Sequence, residues 1–160
     1  MKSDVQIRIA SPDEAEKIAS LIREAFAEMK SLYTPEAFAA TTPDSEKIRN
    51  RFDEGAIWVA LKDETIVGTV SVVSEERGRL YVRSMAVSPS AQGLGIGRNL
   101  LAAVENYAIE NRFENLYLYT LPFLSGATRL YELNGFKRGE DTSPEDFFGM
   151  PGLMMEKKLF

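Results

Sequence analysis

The chain of 160 residues contains no cysteine and no histidine. The lack of cysteine excludes disulfides, a catalytic thiol and thiolate metal sites. The lack of histidine removes the usual base at neutral pH and the commonest metal ligand. We therefore expect no metal site, and any proton transfer must use Tyr, Asp, Glu, Lys, water or the backbone.

The chain also lacks an excess of basic residues and any apolar run of membrane length. Its net charge of -5 argues against a nucleic-acid binder. Without a signal-peptide pattern or a membrane span, a cytoplasmic protein with no membrane contact is expected. At 44% hydrophobic and 27% charged, residues 1–160 are predicted to fold as a single domain with a sizeable core.

The most informative stretch runs from Leu80 to Gly97 and reads LYVRSMAVSPSAQGLGIG. Its first eight residues are rich in branched and aromatic side chains, which predicts a strand that ends at Ser88-Pro89-Ser90. After Gly97, apolar residues recur at three and four spacings, which predicts an amphipathic helix. The stretch is therefore a strand, a turn with three glycines and the start of a long helix.

The turn from Gln92 to Gly97, called the glycine turn below, is suited to binding an anion. Glycines let the backbone approach a ligand closely, and the first N–H groups of a helix have no internal partner. The helix dipole makes this end partly positive, so phosphate is the typical ligand. In isolation, the pattern fits equally well a turn that serves only tight packing of strand against helix.

Two familiar phosphate-binding patterns do not fit the spacing. The dinucleotide fingerprint would require a third glycine at Arg98 or at Leu100. The nucleotide P-loop ends in Gly-Lys-Ser/Thr, and no lysine occurs between Lys62 and Lys137.

The rest of the chain predicts alternating strands and helices without repeats or linkers. The elements expected outside the central stretch are strands at 5–9, 56–61, 66–73, 116–119, 136–138 and 153–159, helices at 11–26 and 125–134, and a second helix capped at Thr42-Pro43. The fourth and fifth strands are joined by a right-handed crossover through the long helix, so they should run parallel. Tyr33 and Phe38, in a loose segment, either line a binding cleft or pack on the sheet.

Two motifs resemble those of the GNAT superfamily, the acyl-CoA-dependent N-acyltransferases. Gln92, Gly95 and Gly97 fit Gln/Arg-x-x-Gly-x-Gly/Ala, its pyrophosphate-binding signature, and 127–136 resembles its A-x-x-L-Y-x-x-x-G-F segment. Their order and separation extend the resemblance over essentially the whole chain. It implies an α+β (mixed α/β) acyl-CoA N-acyltransferase fold, with a mostly antiparallel central sheet, parallel fourth and fifth strands, and helices on both faces.

The resemblance also implies a set of site residues for acetyl-CoA. Main-chain groups at Met85 and Val87 would hold the pantetheine arm like an added strand. The Met85 N–H would stabilise the oxyanion, and Tyr131 would act as general acid towards the thiolate of coenzyme A. The phenol has a reference pKa of about 10, somewhat above the thiol's roughly 8.5. The implied pyrophosphate site comprises Gln92, Gly93, Leu94, Gly95, Ile96, Gly97 and Arg98; Arg98 fits equally well an ordinary solvated helix residue.

Two positions depart from the superfamily's pattern. Leu124 stands where many relatives carry an asparagine that contacts the cofactor, a contact that is lost or replaced, for example by Ser125. Tyr81 stands where many relatives carry a glutamate that draws a proton from the amine through water. Glu75 and Glu76 are the nearest carboxylates in sequence, but as turn residues they are expected to be solvated. The general base is therefore not assigned.

These residues predict an N-acetyltransferase that moves the acetyl group of acetyl-CoA directly onto a primary amine of a small molecule, peptide or protein. Without cysteine, a covalent acyl-enzyme is not expected. The net charge and an acidic loop from Glu140 to Asp146 favour a cationic acceptor such as a polyamine, amino sugar or peptide amine.

The alternative is a non-catalytic acyl-CoA-binding module or sensor. A structural partner protein would leave the glycine turn unexplained. Dimers are common in the superfamily, so a homodimer is an expectation, although no stretch predicts an interface.

Overall fold

A seven-stranded sheet forms the centre of the molecule, with the strand order β1-β2-β3-β4-β5-β7-β6. The computed structural model describes residues 5–142 and 148–159. Neighbouring strands are antiparallel except β4 and β5, which are parallel as predicted. The strands are β1 Val5–Ile9, β2 Ile57–Lys62, β3 Thr65–Ser74, β4 Arg79–Val87, β5 Asn115–Thr120, β6 Lys137–Thr142 and β7 Gly152–Lys158. The helices are α1 Ala15–Phe26, α2 Pro35–Thr41, α3 Ser45–Arg51, α4 Ile96–Glu110 and α5 Ser125–Leu133.

Helices cover both faces of the sheet, and β2 shows why. Because side chains alternate along a strand, Trp58 and Ala60 face one core while Ile57 and Val59 face the other. The first core is closed by α4 and α5, and the second by α1 and α3. A third, smaller cluster around Tyr33 packs α2 against the segment after β5. The mixed α/β fold implied by the resemblance is therefore confirmed. Among the described helices, none has the length and apolar character needed to cross a bilayer.

The first helical segment begins with the predicted capping box. Ser11 and Glu14 cap a short 3₁₀ turn that leads into α1, and the guanidinium of Arg8 holds both oxygens of Glu14 at 2.8 Å. The expected cap at Thr42 is wrong, because the Asp44 carboxylate accepts the Lys47 N–H at 2.9 Å and starts α3. A carboxylate at this position can satisfy an N–H group that the helix leaves unpaired.

One segment expected to be irregular is helical, and another is a strand. Thr34 caps α2 by accepting the Ala37 N–H at 3.1 Å. The predicted acidic loop is wrong for residues 140–142, which lie in β6, where Asp141 and Thr142 pair with β7. Edge strands commonly carry exposed charges, which discourage pairing with other chains. Residues 143–146 of that predicted loop lie outside the described residues.

Candidate active site

A β-bulge interrupts β4 at Ser84 and Met85. Between the pairs Thr69↔Ala86 and Ser71↔Arg83, β4 contains one residue more than β3. Ser84 takes a φ of 56°, a left-handed conformation that is uncommon for serine. The extra residue reverses the alternation of side chains along the strand. Met85 consequently packs against the α4 core, whereas Ala86 packs against the α1 core.

The parallel strands β4 and β5 separate beyond Tyr81. Their register contains only Arg79↔Asn115, Leu80↔Leu116 and Tyr81↔Tyr117, while β5 stays paired with β7 along its whole length. The opening between β4 and β5 beyond Tyr81 is called the wedge below. Within the described strands, Met85 has no register partner on either side. Its main-chain groups therefore lie where the sheet ladder is interrupted.

A cavity of about 280 Å³ lies at the wedge and brings together Met85 and Tyr131. These two residues come from a strand and a helix that are far apart in sequence. The described residues around it come from α1, α2, α3, β4, β5, α5, β7 and the segments between them: Phe26, Tyr33, Ala40, Thr41, Arg51, Tyr81, Val82, Arg83, Ser84, Met85, Tyr119, Thr120, Leu121, Leu124, Tyr131, Phe148 and Gly152. Tyr33 therefore lines this cavity and packs in a small core, whereas Phe38 packs in the same core and borders a separate pocket.

Tyr131 is buried in α5 and keeps its proton at neutral pH. Its ring lies 5.9 Å from the ring of Phe136, and 8% of the residue is exposed. Burial raises the pKa of the Tyr131 hydroxyl, because the charged phenolate is poorly solvated there. The side chain is therefore a neutral O–H donor in the wall of the cavity.

The glycine turn leads directly into the N-terminus of α4. Gly95 has a φ of 75°, and the first helical hydrogen bond runs from the Asn99 N–H to the Gly95 carbonyl at 3.0 Å. The N–H groups of Ile96, Gly97 and Arg98 precede that bond and point out of the helix end. No acidic residue occupies the first turn of α4. Its N-terminus is therefore suited to an anion.

Glycine is favoured at two positions of this turn for different physical reasons. A Cβ at Gly97 would lie 2.8 Å from Leu130 Cδ2, so this glycine allows α5 to approach α4. A Cβ at Gly93 would meet no heavy atom within 4 Å, and only the φ of 81° favours glycine there. The packing explanation thus holds at Gly97, while the backbone at Gly93 borders open space.

The other predicted pyrophosphate residues divide between solvent and core. The exposed Gln92 donates from Nε2 to the Val87 carbonyl at 3.2 Å, which ties the glycine turn to the end of β4. Leu94 is 46% exposed, whereas Ile96 is 2% exposed and contributes its side chain to the core. Arg98 is exposed, and its Nη2 would lie 3.5 Å from a Cβ at Gly95. Its guanidinium therefore lies over the glycine turn.

Two arginines of the cavity were not predicted from the sequence. Arg51 ends α3 and Arg83 lies in β4 just before the bulge; both line the cavity. Nothing in the sequence could have paired them, because they are 32 positions apart on elements of different type. Leu124, which departs from the superfamily's pattern, also lines the cavity, whereas Ser125 is exposed and begins α5.

The carboxylates considered as general base do not line the described part of the cavity. Glu75 accepts a hydrogen bond from the Tyr117 hydroxyl, and Glu76 is exposed. The ring of Tyr117 stacks on Tyr81 with centroids 5.1 Å apart. Burial raises the pKa of Tyr81, which makes this hydroxyl a poor base at neutral pH.

Known proteins resemble this chain in sequence and in fold. It is 32% identical to an uncharacterized N-acetyltransferase, YhfO of Bacillus subtilis (strain 168), over 148 residues that cover 86% of this chain and 92% of that protein. It is 31% identical to the N-acetylaspartate synthetase of Danio rerio over 104 residues, covering 64% of this chain but only 37% of that protein's length.

A solved structure shares the whole fold. The PaiA N-acetyltransferase of Thermoplasma acidophilum, in complex with coenzyme A, superposes with a TM-score of 0.82. The match covers 97% of this chain and 99% of that one at 22% identity, so it establishes the fold alone. The profile of the Acetyltransferase (GNAT) family matches residues 21–136, more than two thirds of the chain. From this match, the two motifs and the shared fold, the chain belongs to the GNAT family of acetyltransferases.

Proposed function

We propose that this protein is an acetyl-CoA-dependent N-acetyltransferase that transfers the acetyl group directly to a primary amine. One observation carries the proposal: Met85, at the bulge of β4, and the neutral Tyr131 line one cavity at the wedge. The glycine turn begins the helix that follows the same strand. The proposed oxyanion donor, the proposed proton donor and the proposed pyrophosphate site are thus close together.

The residues present fit coenzyme A. The backbone at Gly93 borders open space, and the N–H groups of Ile96, Gly97 and Arg98 suit a pyrophosphate. Main-chain groups of Met85 and Val87 lie along the wedge, where an extended arm can pair as an added strand. When bound, acetyl-CoA supplies an activated acetyl group.

Each catalytic role follows from the position of a donor. The Met85 N–H donates a hydrogen bond to the carbonyl oxygen as negative charge develops during attack by the amine. The Tyr131 hydroxyl donates its proton to the departing sulfur as the C–S bond breaks. The nitrogen gives up a proton to water as the acetamide forms, and Tyr131 regains a proton from solvent. Because the chain has no cysteine, no acyl-enzyme can form on a cysteine thiol.

A thiol-release assay tests this proposal. The purified chain is mixed with acetyl-CoA and a panel of primary amines, and free thiol and the acetylated product are followed together. The expected result is thiol release that depends on the amine, with one acetyl group gained per thiol released. Binding of acetyl-CoA without release for any amine would favour the alternative, a non-catalytic acyl-CoA sensor. A cytoplasmic location and a homodimer stay predictions.

A further inference from the structure

The charged side chains in the described lining of the cavity are both arginines, Arg51 and Arg83. No aspartate or glutamate lines it within residues 5–142 and 148–159. This local charge is opposite in sign to the net charge of the chain. A cavity of this kind attracts anionic groups and repels cationic ones.

Arg51 is held at the bulge itself. Its Nη1 donates to Ser84 Oγ at 2.7 Å, which fixes the guanidinium one residue away from Met85. The positive φ of Ser84 belongs to the same bulge. A group bound by Arg51 would therefore lie close to the atoms proposed to take part in acetyl transfer.

Arg83 is incompletely satisfied. Its Nη2 forms an ion pair with Glu54 Oε2 at 3.1 Å, without a hydrogen bond between the two groups. Among the described residues, its buried Nε and Nη2 have no hydrogen-bond partner. Guanidinium groups bind carboxylates through two parallel N–H donors, so a carboxylate at this position would satisfy Arg83.

The two guanidinium groups also repel one another. Burial, together with the charge of Arg83, lowers the pKa of Arg51 to about 10, so Arg51 remains protonated at neutral pH. The tyrosine rings of Tyr81 and Tyr119, 5.9 Å apart, give the remaining wall an aromatic character. Glu54, which pairs with Arg83 and also acts to raise the pKa of Arg51, offsets this repulsion in part, and a bound carboxylate would offset it further.

We propose that the acetyl acceptor is an amine that also carries a carboxylate, bound by Arg51 and Arg83. Its amine then reaches towards Met85 and Tyr131 while its carboxylate stays with the two guanidinium groups. This inference rests on the proposed function and narrows its acceptor to small amino acids. It differs from the cationic acceptor suggested by net charge, because the cavity and not the whole surface meets the substrate.

Matched acceptor pairs test the inference. Thiol release from acetyl-CoA is measured with glycine and glycinamide, β-alanine and β-alaninamide, and aspartate and asparagine, with spermidine as the cationic amine. At least one acid is expected to show a kcat/KM about tenfold or more above its carboxamide, since a lost hydrogen bond to a charged group has an effect of that order. Equal or better turnover of the carboxamides or of spermidine would overturn the inference while leaving the proposed function intact. Absence of acetyl-CoA binding would overturn both.

Four variants assign the effect to the cavity. Arg51→Gln and Arg83→Gln are expected to raise the KM of the preferred acid about tenfold or more and to lower its kcat/KM relative to that of the carboxamide, with little change in the KM of acetyl-CoA. Arg49→Gln, at an exposed position of the same helix, is the matched control and should change neither. Arg51→Lys should recover part of the affinity. Melting temperatures show whether each variant is folded, and equal effects on acid and carboxamide would contradict carboxylate binding.

Discussion

Among single residues, Tyr131 is the one whose loss should affect chemistry more than binding. Its hydroxyl is neutral, and the residue both lines the cavity and packs in the core. Tyr131→Phe keeps the ring and removes the proton donor. We expect kcat to fall about 10²-fold or more, a typical effect of losing a general acid, while the affinity for acetyl-CoA stays within a few-fold.

The control for this substitution is Tyr107→Phe. Tyr107 is a half-buried residue of α4 that packs against Trp58 and lies outside the cavity. Thiol-release kinetics and acetyl-CoA binding are compared in both variants. Unchanged turnover in Tyr131→Phe would remove the general-acid role and favour a binding protein.

The carboxylate of Glu14 should make the folded protein lose stability in acid. The hydrogen bonds from Arg8 are the largest cause that lowers the pKa of Glu14, to about 2. Because this pKa lies below the value in the unfolded chain, the contribution is present above about pH 4.5 and is lost as the pH falls towards 2. At pH 7, Glu14→Gln should lower the melting temperature by roughly 2–4 °C.

The difference between wild type and Glu14→Gln should shrink steadily below pH 4.5. Glu16→Gln, at an exposed position of α1, serves as the matched control and should show a smaller difference. A difference that is constant from pH 7 to pH 2 would mean that the charge of Glu14 plays no part.

At the scale of elements, the glycine turn should respond to a single methyl group at Gly93. The methyl group of Gly93→Ala meets no neighbour, so its whole effect on stability comes from the left-handed φ of 81°. The expected loss of stability is about 1–2 kcal/mol. Affinity for acetyl-CoA should also fall, because the added Cβ borders the open space where the pyrophosphate is proposed to bind.

Gly126→Ala is the control for this change, since it too meets no heavy atom within 4 Å but lies in the first turn of α5 without a positive φ. It should stabilise the protein by roughly 0.4–1 kcal/mol and leave binding unchanged. Chemical denaturation and acetyl-CoA titration measure the two effects. Loss of stability in Gly93→Ala with full affinity would place the pyrophosphate elsewhere.

Local patterns in the sequence predict most elements, because each pattern records a local physical requirement. Alternation identified the strands, the capping box of Ser11 and Glu14 located the first helix, and Gly135, with a φ of 93°, ends α5 as expected. The parallel pairing of β4 with β5 followed from the handedness of the crossover. The caps of α2 and α3 were missed because Thr34 and Asp44 lie in segments without clear periodicity.

The candidate site was predictable only in part. Met85 and Tyr131 were found through motifs, and the cavity places them together. The bulge was not predictable, because serine carries no signal for the positive φ of Ser84. Arg51 and Arg83 were missed since their proximity depends on how α3 packs beside β4. Long-range packing, which no local pattern encodes, thus determines the side of the cavity that is proposed to bind the acceptor.

For the molecule as a whole, the central claim is that the glycine turn and the wedge together bind acetyl-CoA. A ligand that binds only the folded state stabilises it by mass action, by about 2.7 kcal/mol at a hundred times its dissociation constant. For a chain of this size, that corresponds to a rise in melting temperature of roughly 5–10 °C.

The most direct measurement is therefore thermal melting of the purified chain with and without acetyl-CoA, with ATP and NAD as controls. The account predicts a rise with acetyl-CoA and coenzyme A that ATP and NAD do not reproduce. No rise, in protein that is folded and free of co-purified ligand, would contradict the assignment of acetyl-CoA and every residue role that depends on it.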